Sequence, residues 1–161
     1  MPTLTARAKP RRATASPTIE PPRRSPVQLR EYFAAKLGAE LGPHDVRRLI
    51  DGGSTDFLLL DVRSREGFTQ AHLPGAQHIP LDELAGWLQE LPKDQEVITY
   101  CWNATCLAST QAALMLTTHG FRARVLCGGI SAWQADGFAV ERGAWRASGC
   151  ASCWRRSWLF P

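Results

Sequence analysis

Two cysteines, Cys101 and Cys106, bracket the short segment CWNATC at a point where the character of the chain changes. Before it, QEVITYC is an apolar run of strand length. After it, ATCLASTQAALMLTTHG reads as a helix that Gly120 ends as a left-handed cap. A thiol at that junction, Cys101, would face backbone N–H groups that have no helical partner, together with the positive end of the helix dipole. Both favour the thiolate, the nucleophilic form of cysteine. The same donors would cradle an oxyanion, or a persulfide built on that sulfur. Position alone leaves a second reading, in which Cys101 is a small apolar residue closing a strand. Cys106 also has two readings: a resolving thiol that attacks a persulfide or sulfenic acid on Cys101, or the first apolar contact of the helix. Ser109 and Thr110 could donate to an anion in the loop, but capping the helix is the simpler use of both. Trp102 either shapes the mouth of a pocket or meets a protein partner.

The elements that must hold this junction alternate between helix and strand patterns. LREYFAAKLGAEL places Leu29, Tyr32, Phe33 and Leu37 at near-helical spacing, which suggests a short helix docked on the domain, a loose arm being the alternative. GPHDVRRLIDGG has Pro43 near a helix start, Val46, Leu49 and Ile50 on one face, and Gly52 and Gly53 as a stop. DFLLLDV is a continuous apolar run, the pattern of a central strand covered on both faces. Ser64 is a candidate N-cap for one helical turn, followed by a Pro74-Gly75 turn and a short strand in AQHI. DELAGWLQEL is predicted to be an amphipathic helix with Leu84, Trp87, Leu88 and Leu91 on one stripe. FRARVLC supplies a further strand, and GGISAWQADGF a glycine-started helix that turns Ile130 and Trp133 toward the sheet. This alternation implies an α/β fold with a mostly parallel sheet between helices. In such sheets sites lie beyond the carboxyl ends of the strands, which is where Cys101 stands.

The formal charge of +4 is unevenly spread. Residues 1–30 carry seven basic residues and one acid, residues 31–141 eight basic and fourteen acidic, and residues 142–161 four arginines and no acid. The central region is therefore acidic, which argues against a specific nucleic-acid-binding face. No stretch is long and apolar enough to span a bilayer. Residues 1–28 read as a disordered basic tail, with an organelle-targeting peptide as the minority reading. Residues 29–141 read as a single domain, and residues 142–161 as an irregular basic extension containing cysteines and tryptophans. An odd set of five scattered cysteines suits a reducing cytoplasm better than a disulfide scaffold. Cys127 is expected in the core. Cys150 and Cys153 form a lone Cys-x-x-Cys, a weak signal for half a metal site or a redox pair, and Trp154, Trp158 and Phe160 beside Arg155 and Arg156 could contact a partner or a membrane surface.

Four ordered segments, LLLDVRS, AHLPGAQHIPL, VITYCWNATC and VLCGGISAWQADGF, resemble the rhodanese family over roughly residues 40–141. The resemblance implies a three-layer fold with a five-stranded, mostly parallel sheet flanked by helices on both faces. It also implies sulfur transfer, in which Cys101 accepts a sulfane sulfur as a persulfide and hands it to a thiol or cyanide. Donors would be thiosulfate, mercaptopyruvate or a persulfide, including that of a sulfur-relay protein. Neither cofactor nor metal is implied. By the same resemblance Asp61, Arg63 and His72 are structural supports, and Trp102, Asn103, Ala104, Thr105, Cys106 and Leu107 form the substrate-binding loop.

That loop departs from the commonest pattern of the family, in which a shorter loop ends in an arginine. Here it is longer, carries Cys106, and has Ala108 near the expected arginine, so it is similar to a variant group with a Cys-Trp-x-x-x-Cys loop. Without a guanidinium, bidentate recognition of a tetrahedral dianion is lost and thiosulfate turnover is expected to be weak. The same absence argues against phosphatase chemistry, which needs an arginine beside the cysteine, and none lies between Cys101 and Gly120. The competing class is a non-catalytic binding or redox-sensing module that uses the Cys101/Cys106 loop.

Overall fold

The two strongest apolar runs in the sequence become neighbouring central strands in the computed structural model, which describes residues 24–143. Strand β2 (Phe57–Asp61) and strand β4 (Glu96–Tyr100) pair in parallel, with Asp61 opposite Tyr100. Strand β3 (Gln77–His78) lies outside β2, and strand β5 (Arg122–Leu126) outside β4. A two-residue strand β1 (Glu40–Leu41) completes a five-stranded, all-parallel sheet in the order β1-β5-β4-β2-β3. The helices are α1 (Pro26–Ala39), α2 (Pro43–Asp51), α3 (Arg65–Gln70), α4 (Leu84–Trp87), α5 (Ala108–Thr118) and α6 (Gly129–Ala135).

Side chains on a strand alternate between faces, so one buried strand feeds two cores. Leu58, Leu60, Val97 and Cys101 pack with Leu84, Leu88, Leu91, Ala112 and Leu116 on one side. Leu59, Ile98, Tyr100 and Leu126 pack with Val46, Ile130 and Trp133 on the other. Cys101 thus follows a fully buried strand and itself belongs to the α4/α5 core. No helix among the described residues is long and apolar enough to cross a membrane.

Several sequence expectations need correction. Helix α1 starts at Pro26, with Ser25 and Gln28 forming a reciprocal cap, so residues 26–28 are already helical. The helix gains no cover from the domain: none of its residues is buried, and Leu37 is 80% exposed. Strand β1 escaped notice because two residues cannot show a period; it is defined by its pairing, which Cys127 extends by donating its N–H to the Leu41 carbonyl at 2.8 Å. Only Leu84–Trp87 is helical in the DELAGWLQEL stretch, where Gly86 lowers helix propensity and i→i+3 bonds from Gly86 and Glu90 make turns instead. Leu84, Leu88 and Leu91 are nevertheless buried. Cys127 is exposed, not in the core. The readings of residues 1–23, of Cys150 and Cys153, and of Trp154, Trp158 and Phe160 lie outside the described residues.

Candidate active site

Cys101 is held from behind by helix α6. The Ile130 N–H donates to the Cys101 carbonyl and the Ser131 N–H to the Trp102 carbonyl, each at 3.0 Å. Those two amides belong to the first turn of α6, where they have no partner within the helix, so the clamp costs the helix nothing. The approach requires glycine. A Cβ at Gly129, whose φ is +56°, would lie 2.3 Å from the Cys101 carbonyl oxygen. At Gly128, φ +77°, it would lie 2.5 Å from the Ala132 Cβ. The sequence marked this Gly-Gly pair as a helix start but gave no hint that it grips the candidate nucleophile.

The loop in front is organised by Asn103. Its Oδ1 accepts from the Thr105 N–H at 3.1 Å, the Thr105 hydroxyl at 2.8 Å and the Cys106 N–H at 3.2 Å. This side-chain turn uses residues that the sequence had placed in the following helix, and it delays the start of α5 to Ala108. Ser109 and Thr110 therefore lie inside the first turn instead of capping it; the N-cap is Leu107, with no side-chain bond. Ser109 is buried, and its carbonyl accepts from the Thr99 hydroxyl at 2.9 Å, which ties the first turn of α5 back to β4.

Cys101 and Cys106 are joined as a disulfide, with Cα atoms 6.5 Å apart. Cys101 is only 1% exposed and Cys106 half-buried, whereas Trp102 and Leu107 are 42% and 66% exposed on the rim. Ala104 is also exposed. The cup of amides expected around the sulfur is not what this form presents. The Thr105 and Cys106 amides are spent on Asn103, and the Cys101 Sγ lies 3.4 Å from the Cys106 carbonyl oxygen.

Below the loop sits a buried charged network. The Asp61 carboxylate accepts from the Arg63 backbone N–H at 2.9 Å, from Nε at 3.0 Å and from Nη2 at 2.6 Å. Arg63 also donates to the Ala71 carbonyl at 2.6 Å, and its own carbonyl lies 2.9 Å from the His78 Nε2. Its side chain is 1% exposed and so closed to a substrate anion. The guanidinium lies 4.5 Å from the Trp102 ring, which also rests on Gly67, where an added Cβ would come within 2.6 Å of the indole. The Tyr100 hydroxyl accepts from the Leu73 N–H at 3.1 Å. Burial first, then the charge of Asp61 and the phenol's hydrogen bond to it, hold the Tyr100 pKa well above its ordinary value of 10.0. His72 stands further off. It is stacked on Phe68 with centroids 3.8 Å apart, its Nδ1 is 2.9 Å from the Phe68 carbonyl, and its backbone exchanges two hydrogen bonds with Glu141. Tyr100, His78 and Gly67 are site-forming residues that the sequence did not single out. Tyr100 was legible only as an apolar strand residue, although its place next to Cys101 was visible.

A family model described as the rhodanese-like domain matches residues 42–136. The chain belongs to the rhodanese-like family. Among curated relatives, a sulfurtransferase of Allochromatium vinosum is 34% identical over 95 residues, covering 58% of this chain and 85% of that protein. An HTH-type transcriptional regulator of Mycobacterium tuberculosis is 36% identical over 86 residues, covering 53% of this chain but only 38% of the regulator. The solved structure of the BH2092 protein from Bacillus halodurans is similar with a TM-score of 0.68 and 31% identity, over 73% of this chain and 87% of that one. The five-stranded sheet and its covering helices are thus those of the rhodanese-like fold.

Two outcomes follow from this geometry. Gly129→Ala should destabilise the rhodanese-like domain by several kcal/mol, because it combines left-handed strain of about 1–2 kcal/mol with a clash on the Cys101 carbonyl. Gly137→Ala, at φ +75° with open space around it, should show the strain alone. Equal urea midpoints for the two variants would refute the clamp. The folded state favours the protonated Tyr100 phenol, so its stabilising contribution is complete below pH 10 and is lost as pH rises beyond that. Wild type should therefore lose more stability than Tyr100→Phe between pH 9 and pH 11, and parallel losses would show that the phenol is not so placed.

Proposed function

We propose that this rhodanese-like chain is a sulfurtransferase that carries a sulfane sulfur as a persulfide on Cys101 and delivers it to a thiol or cyanide acceptor. The observation that carries this reading is the position of Cys101. It is the residue that follows the buried strand β4, its carbonyl is fixed by α6, and it faces the start of α5 across a loop. The sulfurtransferase name of a relative that matches over most of its own length supports the same reaction class.

The Cys101 thiolate attacks the sulfane sulfur of a donor and keeps that sulfur. From thiosulfate the leaving group is sulfite; from a small-molecule or protein persulfide it is a thiolate. Trp102, Asn103, Ala104, Thr105, Cys106 and Leu107 form the substrate loop, while Asp61, Arg63 and His72 hold the structure around it. The loop contains no cation, and Arg63 is sealed beneath Trp102 by its bonds to Asp61 and Ala71, so a dianionic donor gains no ion pair there. Persulfide donors, including a protein partner seated on the exposed Trp102 and Leu107, suit the site better than thiosulfate. The disulfide form is closed to any donor because the nucleophile is already bonded.

The test is the intact mass of pre-reduced protein after exposure to thiosulfate or glutathione persulfide. A gain of about 32 Da, removable by reductant and mapped to the Cys101 peptide, is expected in wild type quenched early with an alkylating agent. It should be absent from Cys101→Ser. Repeated failure with several donors would favour a binding or redox-sensing module instead.

A further inference from the structure

We propose that Cys106 is a second catalytic thiol, which resolves the Cys101 persulfide from within the loop and releases its outer sulfur as hydrosulfide. This deepens the sulfur-transfer reading and rests on it. The observation is the bond between the two side chains: the sulfur that Cys106 meets is Sγ of Cys101 itself, the inner atom of any persulfide formed there. The backbone is already shaped for that contact. Asn103 folds the loop by taking the Thr105 and Cys106 amides, and α6 fixes the other end of the loop through the Cys101 and Trp102 carbonyls.

The step balances without an added oxidant. The Cys106 thiol, deprotonated, attacks Sγ of Cys101; a Cys106–Cys101 sulfur bond forms and the bond to the outer sulfur breaks. The outer sulfur leaves with the electron pair and takes the proton, giving hydrosulfide. The sulfane sulfur is reduced by two electrons and the two cysteines are oxidised by two. Hydrosulfide is a better leaving group than an alkyl thiolate because its conjugate acid is the stronger, and such exchange is faster for the more acidic leaving thiol. Tethering both thiols to one loop makes the attack unimolecular, so it competes with external acceptors at modest concentration.

The product of that step is the disulfide form described above, so the cycle needs a dithiol reductant to return to the start. Burial decides where such a reductant enters. Cys101 is 1% exposed while Cys106 is half-buried, so attack falls on the Cys106 sulfur and expels Cys101 as the thiolate, ready for the next donor. Trp102 and Leu107, exposed on either side, offer the apolar rim on which a reductant protein would sit. The net reaction is then reductive release of sulfide from a sulfane donor, driven by a dithiol.

The experiment is a single turnover with full-length protein. Reduced wild type and Cys106→Ser are loaded with glutathione persulfide, desalted to remove donor, and incubated without any thiol. Sulfide is trapped with monobromobimane and the cysteines are mapped by peptide mass. Wild type should release about one equivalent of sulfide per persulfide loaded on Cys101 and end with a Cys101–Cys106 linked peptide. Cys106→Ser should keep the extra sulfur on its Cys101 peptide and release at most a tenth as much in the same time. If wild type also keeps the sulfur on Cys101, the resolving step is wrong while persulfide formation stands. Appearance of the extra sulfur on the Cys106 peptide would equally overturn it, because attack would then be on the outer atom. If neither protein loads Cys101, this inference falls together with the sulfur-transfer reading.

Discussion

The contact on which the site depends is the one between the first turn of α6 and the Cys101–Trp102 backbone. Two amide donors that a helix must leave unused are spent on two carbonyls that a strand leaves behind as it ends. One end of the loop is thereby fixed in space, while its other end is free to be shaped by its own sequence. This arrangement needs glycine at residue 129, since the two backbones approach more closely than any side chain allows. A cysteine anchored through its carbonyl keeps its place even when its side chain changes partner, as the sulfur transfer proposed for Cys101 demands at each step.

Beneath that contact, the buried pairing of Asp61 with Arg63 sets the level of the loop. Removing one partner of such a pair typically costs about 3–5 kcal/mol, because the other is left charged and buried. Here the pair is further committed: Arg63 reaches the Ala71 carbonyl and carries Trp102 on its guanidinium face, and Asp61 meets the Tyr100 hydroxyl. The strand before Cys101, the turn after β2 and the tryptophan after Cys101 are thus joined through two side chains. The charge serves position, and it is unavailable for binding substrate. With no cation in the loop, the sulfur transfer proposed here rests on backbone donors and on thiol chemistry, with Cys106 as the second thiol.

Much of the framework could be read from residue patterns alone. The runs FLLLD and EVITY are apolar over their whole length because both faces are covered, and that announced two central parallel strands. Gly120 and the Gly128-Gly129 pair marked element boundaries correctly, with φ of +83°, +77° and +56°. What escaped notice was whatever depends on a distant partner. Strand β1 exists because β5 offers an edge, and α5 starts late because Asn103 finds two amides that no periodicity reveals. Cys127 looked like core by residue type, yet it lies past the end of β5 where the covering layer stops. The apolar residues of α1 kept helical spacing without gaining cover, so periodicity gave the element and misjudged its burial.

The central claim is that the fold, and not mere closeness in sequence, delivers the Cys106 sulfur to the Cys101 sulfur. It is tested most directly by the equilibrium between the dithiol and the internal disulfide in glutathione buffers, measured in the native protein and again in urea. The account predicts an effective thiol concentration at least about tenfold higher in the folded state, corresponding to roughly 1.4 kcal/mol of preorganisation. Equal values in the two states, or a mixed disulfide with glutathione at Cys101 as the main native product, would contradict it.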